Sequence, residues 1–207
     1  GEYCALYFAE SLRFEEMLEV VKYRGDSMSI VSDPNKYSMC AILKKEDLKI
    51  DVNNFGDGVY LANLNSDRQV VICGLKDKVN EFKVQNPIGK FIQLNVSAPF
   101  HSDLMKDSSE IFMDKIKNQI FNKINIDLIS NHQLVNYKNI SANDYSKQLK
   151  LQIHSPVMWS DTIKTILKKE THKFIEIGPK KTLLNFLPRD YKGEKYSLCN
   201  LEDLNNV

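Results

Sequence analysis

The order of the predicted elements between residues 38 and 97 limits what this chain can fold into. Short apolar segments there are bounded by Gly, Asn and Asp and alternate between strand and helix periodicity. In chain order they are strand 39–43, a helix around 46–50, strands 58–63 and 69–73, helix 76–84 and strand 91–96. This β-α-β-β-α-β order is typical of a split β-α-β unit.

Helix and strand signals on both sides of this unit predict a larger α/β body. The predicted elements are helices 2–12 and 14–31 before it, and helix 104–117, strand 126–130, helices 145–151 and 159–168 and strand 174–177 after it. Alternation of this kind favours parallel strands. We therefore expect a large α/β subdomain, residues 1–37 and 98–207, with an inserted ferredoxin-like small subdomain, residues 38–97. A cleft between the two is the natural place for a ligand.

Charge and cysteine usage argue against several classes of protein. The formal net charge is only +1, so the chain lacks the excess of basic residues that is typical of nucleic-acid-binding proteins. Its four cysteines stand far apart, which argues against a zinc site and favours reduced thiols. No apolar stretch is long enough to span a bilayer, and the start lacks a signal pattern. We expect a soluble chain with no metal, nucleic acid or membrane partner.

A single histidine is set between a strand exit and a helix start. Pro99 stiffens the exit, His101 follows two residues later, and Ser102 and Asp103 can cap the next helix. Loops between rigid elements often carry functional residues. His101 is therefore a candidate catalytic base, although a structural histidine at a turn would fit the same local pattern.

One arginine interrupts an apolar helix face. The face is defined by residues at helical spacing, namely Phe14, Met17, Leu18, Val21 and Met28, and its extension includes Arg24. An unpaired buried charge is costly, so Arg24 needs an anion. Its charge could pair with a ligand carboxylate or with an acidic side chain of the protein. Alternatively, the guanidinium could reach the surface and stay in contact with water.

Six motifs occur in the order and spacing of malonyl-CoA:acyl-carrier-protein transacylases. They are Gly1-Glu2-Tyr3, Arg24-Gly25-x-x-Met28, Ala62-Asn63-Leu64-Asn65-Ser66 followed by Gln69-Val70-Val71-Ile72-Cys73-Gly74, Ser97-Ala98-Pro99-Phe100-His101-Ser102, Gln152-x-x-Ser155-Pro156-Val157-x-Trp159, and Glu176-Ile177-Gly178-Pro179. Each alone is weak, but together they extend over essentially the whole chain. The chain therefore resembles this family.

The resemblance implies an α/β-hydrolase-like large subdomain and ping-pong transfer of malonyl from malonyl-CoA to the phosphopantetheine thiol of acyl carrier protein, in type II fatty-acid synthesis. The family's nucleophilic serine lies in a Gly-His-Ser-x-Gly-Glu elbow, which Gly1 and Glu2 would end. We expect that serine two positions before Gly1, outside this N-terminally truncated chain, and expect the 207 residues alone to be inactive. The alternatives are an acyltransferase domain of a polyketide or multidomain fatty-acid synthase, and a non-catalytic module that binds carrier protein.

The resemblance also assigns residues. His101 would be the general base and the main-chain carbonyl of Gln152 would orient it; Gln148 is a rival for that position but lacks the family's distance to Ser155. Arg24 would bind the malonyl carboxylate, and Phe100 would leave little room for an α-methyl branch. The other expected substrate contacts are Met28 and Asn63.

Beyond the CoA thioester and phosphopantetheine as substrates, no cofactor is expected, and we expect a monomer. The compartment would be the cytoplasm in a bacterium, or an apicoplast-type plastid or a mitochondrion in a eukaryote. Loops rich in Asn and Lys favour the plastid.

Overall fold

The computed structural model describes residues 1–44, 55–170 and 173–206 and shows six α-helices and six strands there. The helices are α1 (Glu2–Phe8), α2 (Phe14–Ser29), α3 (Lys76–Gln85), α4 (Lys106–Ile116), α5 (Tyr145–His154) and α6 (Trp159–Leu167). The strands are β1 (Tyr37–Leu43), β2 (Val59–Ser66), β3 (Gln69–Leu75), β4 (Lys90–Gln93), β5 (Lys173–Ile177) and β6 (Glu194–Leu198). None of the described helices is both long enough and apolar enough to cross a membrane.

The first four strands form one antiparallel sheet in the order β2-β3-β1-β4. This order is that of the ferredoxin-like unit and confirms the predicted fold class. The helix predicted around residues 46–50 lies outside the described residues. Apart from Tyr37, the first residue of β1, all four strands fall within the predicted small subdomain, whose bounds remain a prediction.

Both faces of this sheet are covered. The central strands β1 and β3 are buried along almost their whole length, as their continuous apolar sequences require. On one face Ile42 and Ile72 pack with Val79 of α3. On the other face Ala41, Ala62 and Val71 form a smaller cluster to which Phe100 is added from the large subdomain. That second face therefore joins the sheet to the loop that carries His101.

Helices α1, α2, α4 and α5 enclose the main core of the large subdomain. Leu6 of α1, Phe112 of α4 and Leu149 of α5 are fully buried in it. Further along the chain, β5 and β6 pair in parallel, as the α/β alternation predicted. Strand β6 was not predicted, because its sequence, Glu-Lys-Tyr-Ser-Leu, lacks the apolar alternation of a half-buried strand.

The predicted strand at 126–130 is wrong. Only Ile129 forms a bridge there, with Asn136. A strand needs a continuous ladder of hydrogen bonds to a neighbour, and the main-chain bonds of Ser130 to Val135 and of Tyr137 to Leu128 give only this single bridge.

The predicted buried face of α2 is only partly right. Met17 and Met28 are buried, but Phe14, Leu18 and Val21 are 49%, 48% and 40% exposed. The helix instead buries Val20 and Ser27. Residues 17, 20, 24, 27 and 28 define a second helical face, rotated from the predicted one, and Arg24 lies on the face that is actually packed.

Candidate active site

His101 occupies an unusual backbone conformation at the start of the large subdomain's second part. Its φ is 64°, a left-handed value that is uncommon for a residue with a side chain. The turn around it is fixed because Ser102 Oγ donates a 2.6 Å hydrogen bond to the carbonyl of Pro99. Non-glycine residues in this region are frequent at functional sites. The turn brings the imidazole against the end of α5.

The contact with α5 fixes the tautomer of His101. Its Nδ1 lies 3.0 Å from the main-chain oxygen of Gln152. Helix α5 ends two residues later, so this carbonyl is one of the last four of the helix and is free to accept a bond from a side chain. A carbonyl can only accept, so Nδ1 carries the hydrogen and Nε2 keeps its lone pair.

The environment also keeps the imidazole neutral. The pKa of His101 is lowered from 6.5 to about 4, mainly by burial and to a smaller extent by the nearby charge of Arg24, while main-chain hydrogen bonds at Gln152 and Ser155 oppose the shift. At neutral pH the ring is therefore unprotonated. A neutral imidazole with a free Nε2 is the form that can take a proton from a nucleophile.

The side chain of Gln152 links two further residues. Its Oε1 accepts a 3.2 Å hydrogen bond from Nε of Arg24, and its Nε2 donates one of 3.2 Å to Oε2 of Glu2. The residue is only 5% exposed. One residue thus contacts the histidine with its backbone and the arginine with its side chain.

Arg24 has no acidic partner. The half-buried guanidinium forms no ion pair within residues 1–44, 55–170 and 173–206, and its Cζ lies 5.8 Å from the ring centre of Tyr3. The internal salt bridge left open by the sequence is therefore not formed among these residues. Nε donates a hydrogen bond to Gln152 and the Tyr3 hydroxyl also faces the guanidinium, but no carboxylate of the described residues pairs with it, so the terminal nitrogens can bind an anion.

Two residues of this network had no assigned function at the sequence level. Glu2, 8% exposed, accepts a 2.6 Å hydrogen bond from the hydroxyl of the fully buried Tyr137 and another from the backbone of Asn131. Burial raises the pKa of Glu2. Glu2 was visible only as the end of a motif, and Tyr137 stands in a polar loop whose pattern gives no signal.

The other three predicted substrate contacts, Phe100, Met28 and Asn63, lie outside this hydrogen-bonded group. Phe100 packs between the two subdomain cores, and Met28 is buried one helical turn beyond Arg24. Asn63 lines a cavity of about 640 Å³ together with Gly1 and Glu2. The structure therefore joins His101, Gln152 and Arg24 by hydrogen bonds, while Asn63 shares only a cavity with Glu2.

His101 lines a second cavity, between the two subdomains. This space of about 520 Å³ is bounded by Tyr60 and Leu61 of β2 and by His101, Ser102 and His154 of the large subdomain. The predicted cleft is therefore present. Asp103 also borders it, but its carboxylate pairs with Lys106 at 2.9 Å, and Nδ1 of His101 bonds the Gln152 carbonyl instead of an acid.

Known proteins with the same sequence pattern and fold are acyl transferases. Residues 1–201 match the acyl transferase domain family. The chain is 31% identical over 194 residues to the polyketide biosynthesis malonyl CoA-acyl carrier protein transacylase PksC of Bacillus subtilis, covering 91% of this chain and 66% of the relative. It is 32% identical over 212 residues to the malonyl CoA-acyl carrier protein transacylase of Buchnera aphidicola, covering 100% and 67%.

Solved structures agree. The malonyl CoA-acyl carrier protein transacylase (FabD) of Coxiella burnetii superposes with a TM-score of 0.88 at 30% identity, covering 100% of this chain and 67% of that one. An acyl carrier protein S-malonyltransferase of Vibrio cholerae gives 0.90 at 29%, covering 100% and 70%. This chain spans about two thirds of the length of these relatives. With its family pattern, its fold and its histidine site all in agreement, the chain belongs to the acyl transferase domain family.

Proposed function

We propose that this chain supplies the base, the carboxylate clamp and the small subdomain of a malonyl-CoA:acyl-carrier-protein transacylase. The observation that carries the proposal is the hydrogen-bonded group of His101, Gln152 and Arg24. It combines a neutral imidazole with a guanidinium that lacks an acidic partner. An acyl group that bears its own carboxylate needs both of these. The names of the relatives, which are malonyl transacylases, support the same substrate.

The reaction is a two-step acyl transfer. The nucleophile is the serine hydroxyl that the resemblance places two positions before Gly1. His101 Nε2 accepts the hydroxyl proton as the oxygen attacks the thioester carbonyl, and the carbonyl of Gln152 stabilises the imidazolium through Nδ1–H. Collapse of the tetrahedral intermediate breaks the C–S bond, and the imidazolium protonates the departing CoA thiolate. The thiol of phosphopantetheine then attacks the serine ester by the same steps, with His101 again as base.

Arg24 selects the acyl group. Its two terminal nitrogens form a planar pair of donors that matches a carboxylate. Because Gln152 holds Nε, the orientation of this pair is set before the substrate binds. An acetyl group has no carboxylate and gains nothing from the arginine.

The acceptor is proposed to be an acyl carrier protein of type II fatty-acid synthesis. A polyketide carrier protein is the second candidate, because PksC acts in polyketide biosynthesis by name. The relatives named above are bacterial, which supports the bacterial cytoplasm as the compartment; they lend no support to a plastid.

The test is the intact mass of the full-length gene product before and after malonyl-CoA is added. We expect a mass increase of one malonyl group, which acyl carrier protein then removes. His101→Ala should abolish adduct formation. His154→Ala, a histidine in the same cavity with no bond to Gln152, is the matched control and should form the adduct. A wild-type protein whose mass does not change would contradict the proposal.

A further inference from the structure

Tyr137 lies behind the arginine clamp and has no contact with solvent. Its side chain is fully buried, and its ring packs edge-to-face on Tyr145 with centroids 5.0 Å apart. Its main-chain oxygen accepts a 2.9 Å hydrogen bond from the hydroxyl of Tyr145. The hydroxyl of Tyr137 is thereby directed at Oε1 of Glu2, 2.6 Å away.

The hydrogen bonds from Tyr137 to Arg24 run in a definite sense. An ionised Glu2 can only accept, so Gln152 must turn its amino group towards Glu2 and its Oε1 towards Arg24. A protonated Glu2 could donate its O–H to Gln152 instead. The amide would then reverse, and its amino group would face Nε–H of Arg24, donor against donor.

We propose that Tyr137 is a positioning residue for the Arg24 clamp: its hydroxyl holds Glu2 so that the Gln152 amide presents Oε1 to Arg24. This inference rests on the proposed function, in which Arg24 binds the malonyl carboxylate. Tyr137 touches neither the substrate nor the reacting atoms. It acts through two intermediate side chains.

The charge state of Glu2 connects this arrangement to pH. Burial raises the pKa of Glu2, while the hydrogen bonds from Tyr137, Gln152 and Asn131 oppose the rise. The charged and titratable groups that face Glu2 are Tyr137 and Tyr3, with Arg24 beyond Gln152. Removal of the Tyr137 hydroxyl leaves the carboxylate with fewer donors, so Glu2 takes up a proton at higher pH.

The experiment compares transfer of malonyl and acetyl by the full-length gene product and its Tyr137→Phe variant, from about pH 6 to about pH 8. We expect kcat/KM for malonyl-CoA to fall about tenfold near pH 6 through KM, and less near pH 8, with acetyl-CoA unaffected. Ser109→Ala is the control, since it removes a buried hydroxyl that donates to the Lys106 carbonyl and belongs to neither the Tyr137–Glu2 bond nor its support by Tyr145. Equal losses with both substrates, or a loss independent of pH, would overturn the inference.

A second variant separates positioning from folding. Glu2→Gln cannot ionise, so the addition of Tyr137→Phe to this variant should cause neither a further change of selectivity nor a pH-dependent rise of the malonyl KM. Malonate and acetate binding, measured by calorimetry, gives a readout that needs no transfer. If the wild type transfers no malonyl, the proposed function fails, and calorimetry still decides the inference. Equal malonate affinity in the wild type and Tyr137→Phe at both pH values would refute it.

Discussion

Replacement of Arg24 by alanine should separate the two substrates of the proposed reaction. The side chain donates a hydrogen bond from Nε to the neutral amide of Gln152 and forms no ion pair with the described residues, so its charge is available to the ligand. A hydrogen bond to a charged group contributes about 1.5 to 3 kcal/mol. Its loss lowers kcat/KM for malonyl-CoA by about ten- to a hundredfold. Acetyl-CoA never used the contact and should be transferred as before.

The assay measures both acyl-CoA substrates at saturating acyl carrier protein, above neutral pH. That pH matters because the charge of Arg24 lowers the pKa of His101, and the variant's histidine has a higher pKa. Arg24→Lys is the control: it keeps the charge but loses the paired donors, so its malonyl loss should be intermediate. If Arg24→Ala slows malonyl and acetyl transfer equally, the arginine supports the fold or the base, and the clamp reasoning is wrong.

Four further predictions concern pH, substrate selectivity and stability. Transfer should stay near its maximum from neutral pH to about pH 5 and fall towards the His101 pKa of about 4; a fall centred on the ordinary 6.5 would contradict the buried neutral base. Below pH 6.5 the histidine of the unfolded chain binds a proton that folded His101 does not bind. The free energy of unfolding should therefore decrease as the pH is lowered from 6.5 towards 4, and chemical denaturation at several pH values would show this. Phe100→Ser should raise methylmalonyl transfer relative to malonyl in competition assays and lower the melting temperature, because the ring packs on two cores; unchanged selectivity would exclude Phe100 as a steric filter. Gly74→Ala should lower the free energy of unfolding by about 2 kcal/mol or more, since the new Cβ would lie 2.0 Å from the Gly58 oxygen, whereas Gly178→Ala, with no atom within 4 Å, should be near neutral.

The small subdomain was predictable because its strands are specified locally. The apolar runs that became β1, β2 and β3 are bounded by turn residues, and each of these strands pairs with strands of the same small unit. Segment 126–130 has residues that are equally typical of a strand, but within the described chain it forms only one bridge. Its sequence therefore predicted a strand that the fold does not form. In α2 the sequence offers two apolar faces, and only packing against neighbouring helices decides that Met17 and Val20 are inside while Leu18 is not.

The site residues were predictable where their residue type differs from that of the neighbouring sequence pattern. Arg24 stood out on an apolar face, and His101 followed a proline-stiffened exit. The bond between Tyr137 and Glu2 joins residues 135 positions apart, with no local pattern at either end. The sequence could place these two residues in the chain but could not pair them.

The double contact of Gln152 sets a limit on conventional mutagenesis. Every amino acid has a main-chain carbonyl, so any substitution at this position removes the amide bonds to Arg24 and Glu2 and keeps the acceptor for His101. An alanine scan would therefore report position 152 as one that governs substrate choice alone. Its contribution to proton transfer would emerge only from a change to the backbone itself, such as an ester in place of the peptide bond that follows residue 152, which weakens the carbonyl as an acceptor while the side chain stays intact.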